Sequence, residues 1–344
     1  MNAIAICGTG MVSSVGYSAA SSCAAIRAKL STPSETTFID PTGEWINGHA
    51  IDGLSSTHGF DKLERMASRA LRESLQLLEA NSWPQVPLLL CVAEKNRPGR
   101  SGELDDELFL AIEKDLGCEL SRLSTIIAEG RVGVVPAIQR ASQLLHSREV
   151  RYVAILAVDS LLTGPSIRRL VEQERLLTAA SSNGFMPGEA ACALLLALPS
   201  GGPELLCEGV GRARETATID IGGPLRAEGL TTAIRAALAD GECQLHEVDF
   251  RIADVAGEQY YFKEAAIALS RNLRRHRERF EFWHPAESVG DVGAAIGPIV
   301  LAVADMAFRK RYAPGRRVLC HFSADAGGRA ALVLRYSQVT ADGQ

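Results

Sequence analysis

Short, nearly continuous apolar runs alternate with amphipathic stretches along this chain. Residues 3–7, 88–93, 152–158 and 190–198 are apolar at almost every position, the pattern of strands in a sheet covered on both faces. Between them, Leu63, Met66, Ala67, Ala70, Leu71, Leu75 and Leu78 recur at i, i+3, i+4 spacing within 62–79, which predicts a helix with one apolar stripe. Residues 138–145, 166–177 and 258–280 predict further helices. Such alternation implies a layered α/β fold.

The plan then repeats. GFMPGEAACALLLAL at 184–198 is a glycine-containing turn running into an Ala/Leu strand, and FSADAGGRAALVLRY at 322–336 has the same form. Between them PSGGP at 199–203 reads as a hinge. The expected organisation is an N-terminal half over 1–200, a C-terminal half over 204–336 and a polar tail over 337–344.

With 344 residues, 47% of them hydrophobic, the chain can bury a core that needs no staples. Its net charge of −5 gives no field that would draw it to nucleic acid or an anionic membrane. No apolar stretch approaches the roughly 18 residues of a membrane span. The eight cysteines are scattered without a CxxC pair or Cys/His cluster, which predicts no zinc site and no disulfide framework. The N-terminus runs into an apolar strand without a basic region, so a cytoplasmic, reducing location is expected. Gly8-Thr9-Gly10 has Ser13 where a dinucleotide fingerprint needs its third glycine, and no acidic residue follows at the required distance.

Six segments carry a resemblance. They are GTGMVSSVGYSAASSCAAIRAKLS at 8–31, FDKLERMASRALRESLQLLEA at 60–80, NGFMPGEAACALLLA at 183–197, VDFRIADVAG at 248–257, SVGDVGAAIGPIVLAVADMAF at 288–308 and CHFSADAGGRAALVLR at 320–335. In this order they resemble the β-ketoacyl synthases of the thiolase superfamily, over about residues 1–336. The resemblance implies an α/β thiolase-like fold, with duplicated α/β halves in a five-layer α-β-α-β-α arrangement.

It also implies where the family's chemistry should lie. The family uses a cysteine at a helix N-terminus, where the dipole and backbone N–H groups favour a thiolate and an oxyanion, together with two histidines. In IIAEGRVGVVPAIQRASQLL at 126–145 the nucleophile position falls on Arg131, or on Gly130 or Glu129 if the match slides. The first histidine falls on Asp254, the second on Asp291 or Gly290, and the gate loop reads Ala324-Asp325-Ala326. Cys118 is too far upstream to substitute and reads as a structural thiol. Cys320 and His321 are adjacent on a strand, so their side chains should point to opposite faces. For Asp254 and Asp291 two readings stay open. They are an acid/base pair with one pKa raised, or they fill a relic pocket with Arg131 neutralising them.

The resulting expectation is a ketosynthase-like protein without the Cys-His-His set, not an enzyme, acting as a non-catalytic partner, adaptor or scaffold. Degenerate proteins of this kind occur beside bacterial secretion-effector genes. The alternative is an acyl-thioester-handling enzyme of the acyltransferase class, or a chain-length-factor-like subunit of a fatty acid or polyketide synthase, with Glu129, Asp254 and Asp291 as the groups to test. The resemblance implies a homodimer or a heterodimer with a related subunit. Its partners would be another protein, an acyl carrier protein or a CoA thioester, with no nucleic acid, membrane, cofactor or metal. The basic run 271–279 reads as a solvated helix end, and the charged loop 94–107 as an exposed connection or partner surface.

Overall fold

The computed structural model describes residues 1–54, 59–221 and 223–338. Its strands are β1 (Ile4–Val12), β2 (Ser34–Ile39), β3 (Trp45–Gly48), β4 (Leu88–Cys91), β5 (Thr125–Ile127), β6 (Tyr152–Ser160), β7 (Glu189–Ala197), β8 (Glu204–Arg214), β9 (Phe250–Ala253), β10 (Glu281–Trp283), β11 (Arg317–Ser323) and β12 (Gly328–Ser337). Its helices are α1 (Ala19–Arg27), α2 (Gly59–Ser74), α3 (Asp106–Leu116), α4 (Val134–His146), α5 (Gly164–Glu172), α6 (Glu228–Asp240), α7 (Gln259–Asn272), α8 (Ala286–Val289) and α9 (Ile296–Arg309).

Strands β2 and β3 form a separate hairpin, and the others run in the order β10-β9-β11-β12-β8-β1-β7-β6-β4-β5. Ile4, Ala5 and Ile6 of β1 pair with Cys207, Leu206 and Leu205 of β8 at the centre. Outward from this contact the two sides have the same order. Strands β1, β7, β6, β4, β5 on one side correspond to β8, β12, β11, β9, β10 on the other.

Period-two alternation explains why the strands read as continuous apolar runs: both faces are covered. Leu89, Cys91, Ile155 and Leu194 on one side, and Cys207, Ile252, Cys320 and Leu332 on the other, meet α4 and α9 in one central core. Leu88, Leu90, Leu156 and Leu195 face away into a core with α2 and α3. Leu319, Ala331 and Val333 do the same with α6. The result is the layered arrangement expected from the sequence. Helix α9 is buried almost all round, as its position between two sheet faces requires. Truncating a central side chain such as Ile299 to Ala should cost about 2–5 kcal/mol.

Glycines let the outer helices approach. A Cβ on Gly10 would lie 2.0 Å from the Ala70 carbonyl of α2, and one on Gly211 would lie 2.0 Å from the Ala233 carbonyl of α6. Gly8-Thr9-Gly10 is therefore a packing device, matched by Gly209-Val210-Gly211 on β8.

Three sequence expectations need correction. Helix α7 stops at Asn272 because Leu273 is extended. Arg274 to Arg279 thus lie in the connection to β10, where Arg277 donates to the Val248 carbonyl. Helix α5 stops at Glu172, and Glu174 at φ +54° turns Arg175 inward. Loop 94–107 is not simply exposed, because Leu104 is buried and Arg97 reaches Asp159 below it. Of the expected polar tail, residues 339–344 lie outside the described residues. Among the described residues no helix is long and apolar enough to cross a membrane.

Candidate functional site

Arg131 sits in a tight turn, Gly130–Val132, between β5 and α4. Gly130 takes φ +55°, and the Glu94 carboxyl occupies the space its Cβ would fill, 2.2 Å away. A side chain at 130 would be strained and would collide, so glycine is required. The turn directs Arg131 inward, where its Nη2 donates to Oδ2 of Asp291 in a buried ion pair. A cation just before a helix N-terminus opposes the dipole. The Asp291 carboxylate compensates it.

Asp291 is fixed by the loop after α8. Gly290 at φ +72° makes the turn, the Gly293 N–H donates to Asp291 Oδ1 at 3.0 Å, and the Asp291 N–H donates to the Met186 carbonyl at 2.9 Å. Asp254 follows β9 and accepts from the Ser323 N–H at 2.8 Å.

A second arginine closes the cluster. Arg175 donates from Nε and Nη2 to the two carboxylate oxygens of Glu258, both at 2.8 Å, and from Nη1 to Asp325 at 2.6 Å. The Tyr261 hydroxyl donates to the same Asp325 carboxylate. Beside it, Arg97 grips Asp159 bidentately at 2.5 and 2.7 Å, and the Ala294 N–H donates to Asp159 at 2.9 Å.

Burial and charge act in opposition on these groups. Burial works against a charged Arg131, but Asp291 and Asp325 more than offset it and hold the guanidinium firmly protonated. Burial pushes the Asp254 carboxyl up to about 7, although Arg131 and the Ser323 N–H pull it down. Burial likewise disfavours a charged Asp325. There, Arg131, Arg175 and hydrogen bonds from Arg175 and Tyr261 prevail and keep it below the usual carboxylate range. Two arginines thus face Asp254, Asp291, Asp325 and Glu258. Burial also raises the carboxyls of Asp291 and Glu258, against the pull of Arg131 and Arg175 respectively.

The cleft above the cluster has a volume of about 70 Å³, lined by Glu94, Arg97, Arg131, Arg175, Phe185 and Asp325 among others. Ligand pockets usually measure about 300–1,000 Å³, so this one has room for a few waters or a small group. Nor is a thiol activated elsewhere. Burial raises the pKa of Cys7, Cys23, Cys91, Cys118, Cys192, Cys207, Cys243 and Cys320 alike. Among the described residues no group of three or more His, Cys, Asp or Glu side chains is placed to hold a metal ion.

No family model and no curated protein matches the chain. Solved structures do. A chain of the complex between a type II PKS acyl-carrier protein and its ketosynthase bound to the hexaketide superposes with a TM-score of 0.80 at 14% identity, covering 98% of this chain and 100% of that one. The fold is that of the ketosynthases. The ketosynthase from module 6 of the bacillaene synthase from Bacillus subtilis 168 gives 0.79 at 13%, covering 98% and 72%. The ishigamide ketosynthase/chain length factor gives 0.78 at 17%, covering 98% and 99%.

Within this ketosynthase fold, Arg131, Asp254 and Asp291 come from three separate motifs and share one buried cluster. Glu129 does not join them, because it turns to the surface and pairs with Arg212. Gly130 and Gly290 shape turns. Cys320 enters the central core while His321 faces the outer layer, stacked on Phe282 with neither ring nitrogen hydrogen-bonded among the described residues. Sequence reading missed Arg175, Glu258, Tyr261, Glu94, Arg97 and Asp159 as site residues. Asp325 did stand in the gate loop, which departs from the family pattern.

Proposed function

We propose that this protein is a non-condensing member of the ketosynthase fold that works through a protein partner, as an adaptor, scaffold or companion subunit. The observation that carries this reading is the Arg131–Asp291 ion pair before α4. With the nucleophile position matched to Arg131, a compensated cation stands in its place, and a slide to Gly130 or Glu129 gives no thiol either. The small cleft supports it further, because Arg97, Arg131, Arg175 and Asp325 of its lining are already held in ion pairs. Asp254, Asp291 and Arg131 are then structural members of a filled pocket.

Some neighbours are themselves assemblies, including a ketosynthase in complex with its chain length factor from Xenorhabdus doucetiae. This favours a companion-subunit role, as a homodimer or beside a related chain, over a free-standing scaffold. A secretion-effector setting, suggested by the resemblance, fits the same reading. The short edge strand β5, paired with β4 on one side, offers its other edge for such pairing.

The deciding experiment incubates the purified protein with acyl-CoA and acyl-carrier-protein thioesters and measures its intact mass. We expect no acyl adduct and no decarboxylation of a malonyl thioester. Stable acylation at any site would overturn the proposal and favour the acyl-thioester-handling alternative. Co-purification at fixed stoichiometry with a related subunit, unchanged by Asp254→Ala, is the positive result.

A further inference from the structure

We infer that a second site, outside the ion-pair cluster, binds a small amphipathic carboxylate: an apolar or aromatic body bearing one acid group. A cavity of about 330 Å³ opens between α1, the edge strand β10 and helices α8 and α9. This volume falls within the usual range for ligand pockets, unlike the cleft over Arg131. Ile26, Trp283, Val303 and Tyr312 supply apolar walls. The Trp283 N–H is turned to Glu281 at 3.1 Å, so its ring is what it offers. Trp283 and Tyr312 stack with centroids 6.1 Å apart and form one aromatic side.

The polar groups at the mouth select charge. The Arg27 guanidinium lies over the Tyr312 ring, 4.0 Å from its centroid. Stacking holds the plane of an arginine and leaves its N–H edge free for a bidentate acceptor. Among the described residues no carboxylate pairs with Arg27. The one acidic side chain of the lining, Glu287, is already engaged by Lys29 at 3.1 Å and by His284 Nδ1 at 3.0 Å. Ser288 also lines the cavity and is 2% exposed. A stacked cation without a carboxylate partner among the described residues, beside an aromatic wall and an apolar cavity, fits an acid with an apolar body. A carboxylate would take the Arg27 edge, and the body would fill the space against Trp283 and Val303.

The site shares no residue with the Arg131 cluster, so its failure would leave the proposed function untouched. The test is calorimetric titration of the full chain with decanoate and with 2-naphthoate, each against its neutral amide. These arms separate an alkyl from an aromatic body. We expect saturable one-to-one binding of at least one acid, with the matching amide weaker by on the order of tenfold, as loss of a charge-assisted pair implies. Arg27→Gln should weaken the acid about tenfold and leave the amide unchanged. Val303→Phe should abolish binding of both, with Ile26→Trp as a second filling variant should the first not fold. Absence of saturable binding by either acid, equal affinity for acid and amide, or full affinity in a folded filling variant would overturn the inference.

Discussion

The guanidinium of Arg131 and the carboxylate of Asp291 form a buried ion pair between residues 160 positions apart. Breaking a buried pair leaves a desolvated charge, whereas replacing both members with apolar groups need not. Arg131→Met should therefore destabilise the protein by about 3–5 kcal/mol. The double variant Arg131→Met/Asp291→Leu should recover a substantial part of that loss. Urea denaturation of the single and double variants is the check. Additive losses would show that the two residues are not coupled.

Asp254 makes stability depend on pH with a defined sign. Burial raises its folded-state pKa to about 7, above the roughly 3.9 of an unfolded aspartate. Between these values the native state binds more protons than the unfolded state, so stability falls as pH rises from about 4 to about 7. The penalty is complete above that window and amounts to a few kcal/mol at most. Asp254→Asn keeps an acceptor for the Ser323 N–H and should flatten this slope in melts recorded from pH 5 to pH 8. An unchanged slope in Asp254→Asn would assign the effect elsewhere.

Thiol reactivity follows from burial. With every cysteine raised above its ordinary pKa, the folded protein should react slowly with iodoacetamide at neutral pH. Cys118 and Cys7, the two incompletely buried thiols, should be modified first. Peptide mapping after timed alkylation tests this. A fast-reacting Cys91, which lies beneath Gly133 at the head of α4, would reveal an activated nucleophile.

Arg97 ties loop 94–107 to the body of the protein through Asp159. Asp159→Asn should weaken that tie and leave Arg97 without its charge partner. Limited proteolysis should then cut near 95–103 sooner than in the parent, while resistance equal to the parent would place the tie elsewhere.

The fold was legible because its signal is local. Leu88 and Leu90 face one layer and Leu89 and Cys91 another, so the run is apolar at every step and reads as a doubly covered strand. Arg131, Asp254 and Asp291 were legible as candidates because each stands in a motif. Their companions were not. Arg175 meets Glu258 and Asp325 across 83 and 150 positions, and ion pairs at such separations leave no periodicity. Where helices stop was equally hidden, because Arg175 and Arg277 leave their predicted helices to reach partners distant in sequence.

The arginine–carboxylate cluster also constrains which sequences are reachable from this one. A thiol introduced at position 131 by a single exchange would face Asp254, Asp291 and Asp325 without the guanidinium that now balances them. Those carboxylates would disfavour a thiolate, and the buried charges would destabilise the chain that carries it. Nucleophilic chemistry at this turn therefore lies several simultaneous substitutions away. A first step at Arg131 would pass through a less stable protein, because it strands the buried Asp291 carboxylate.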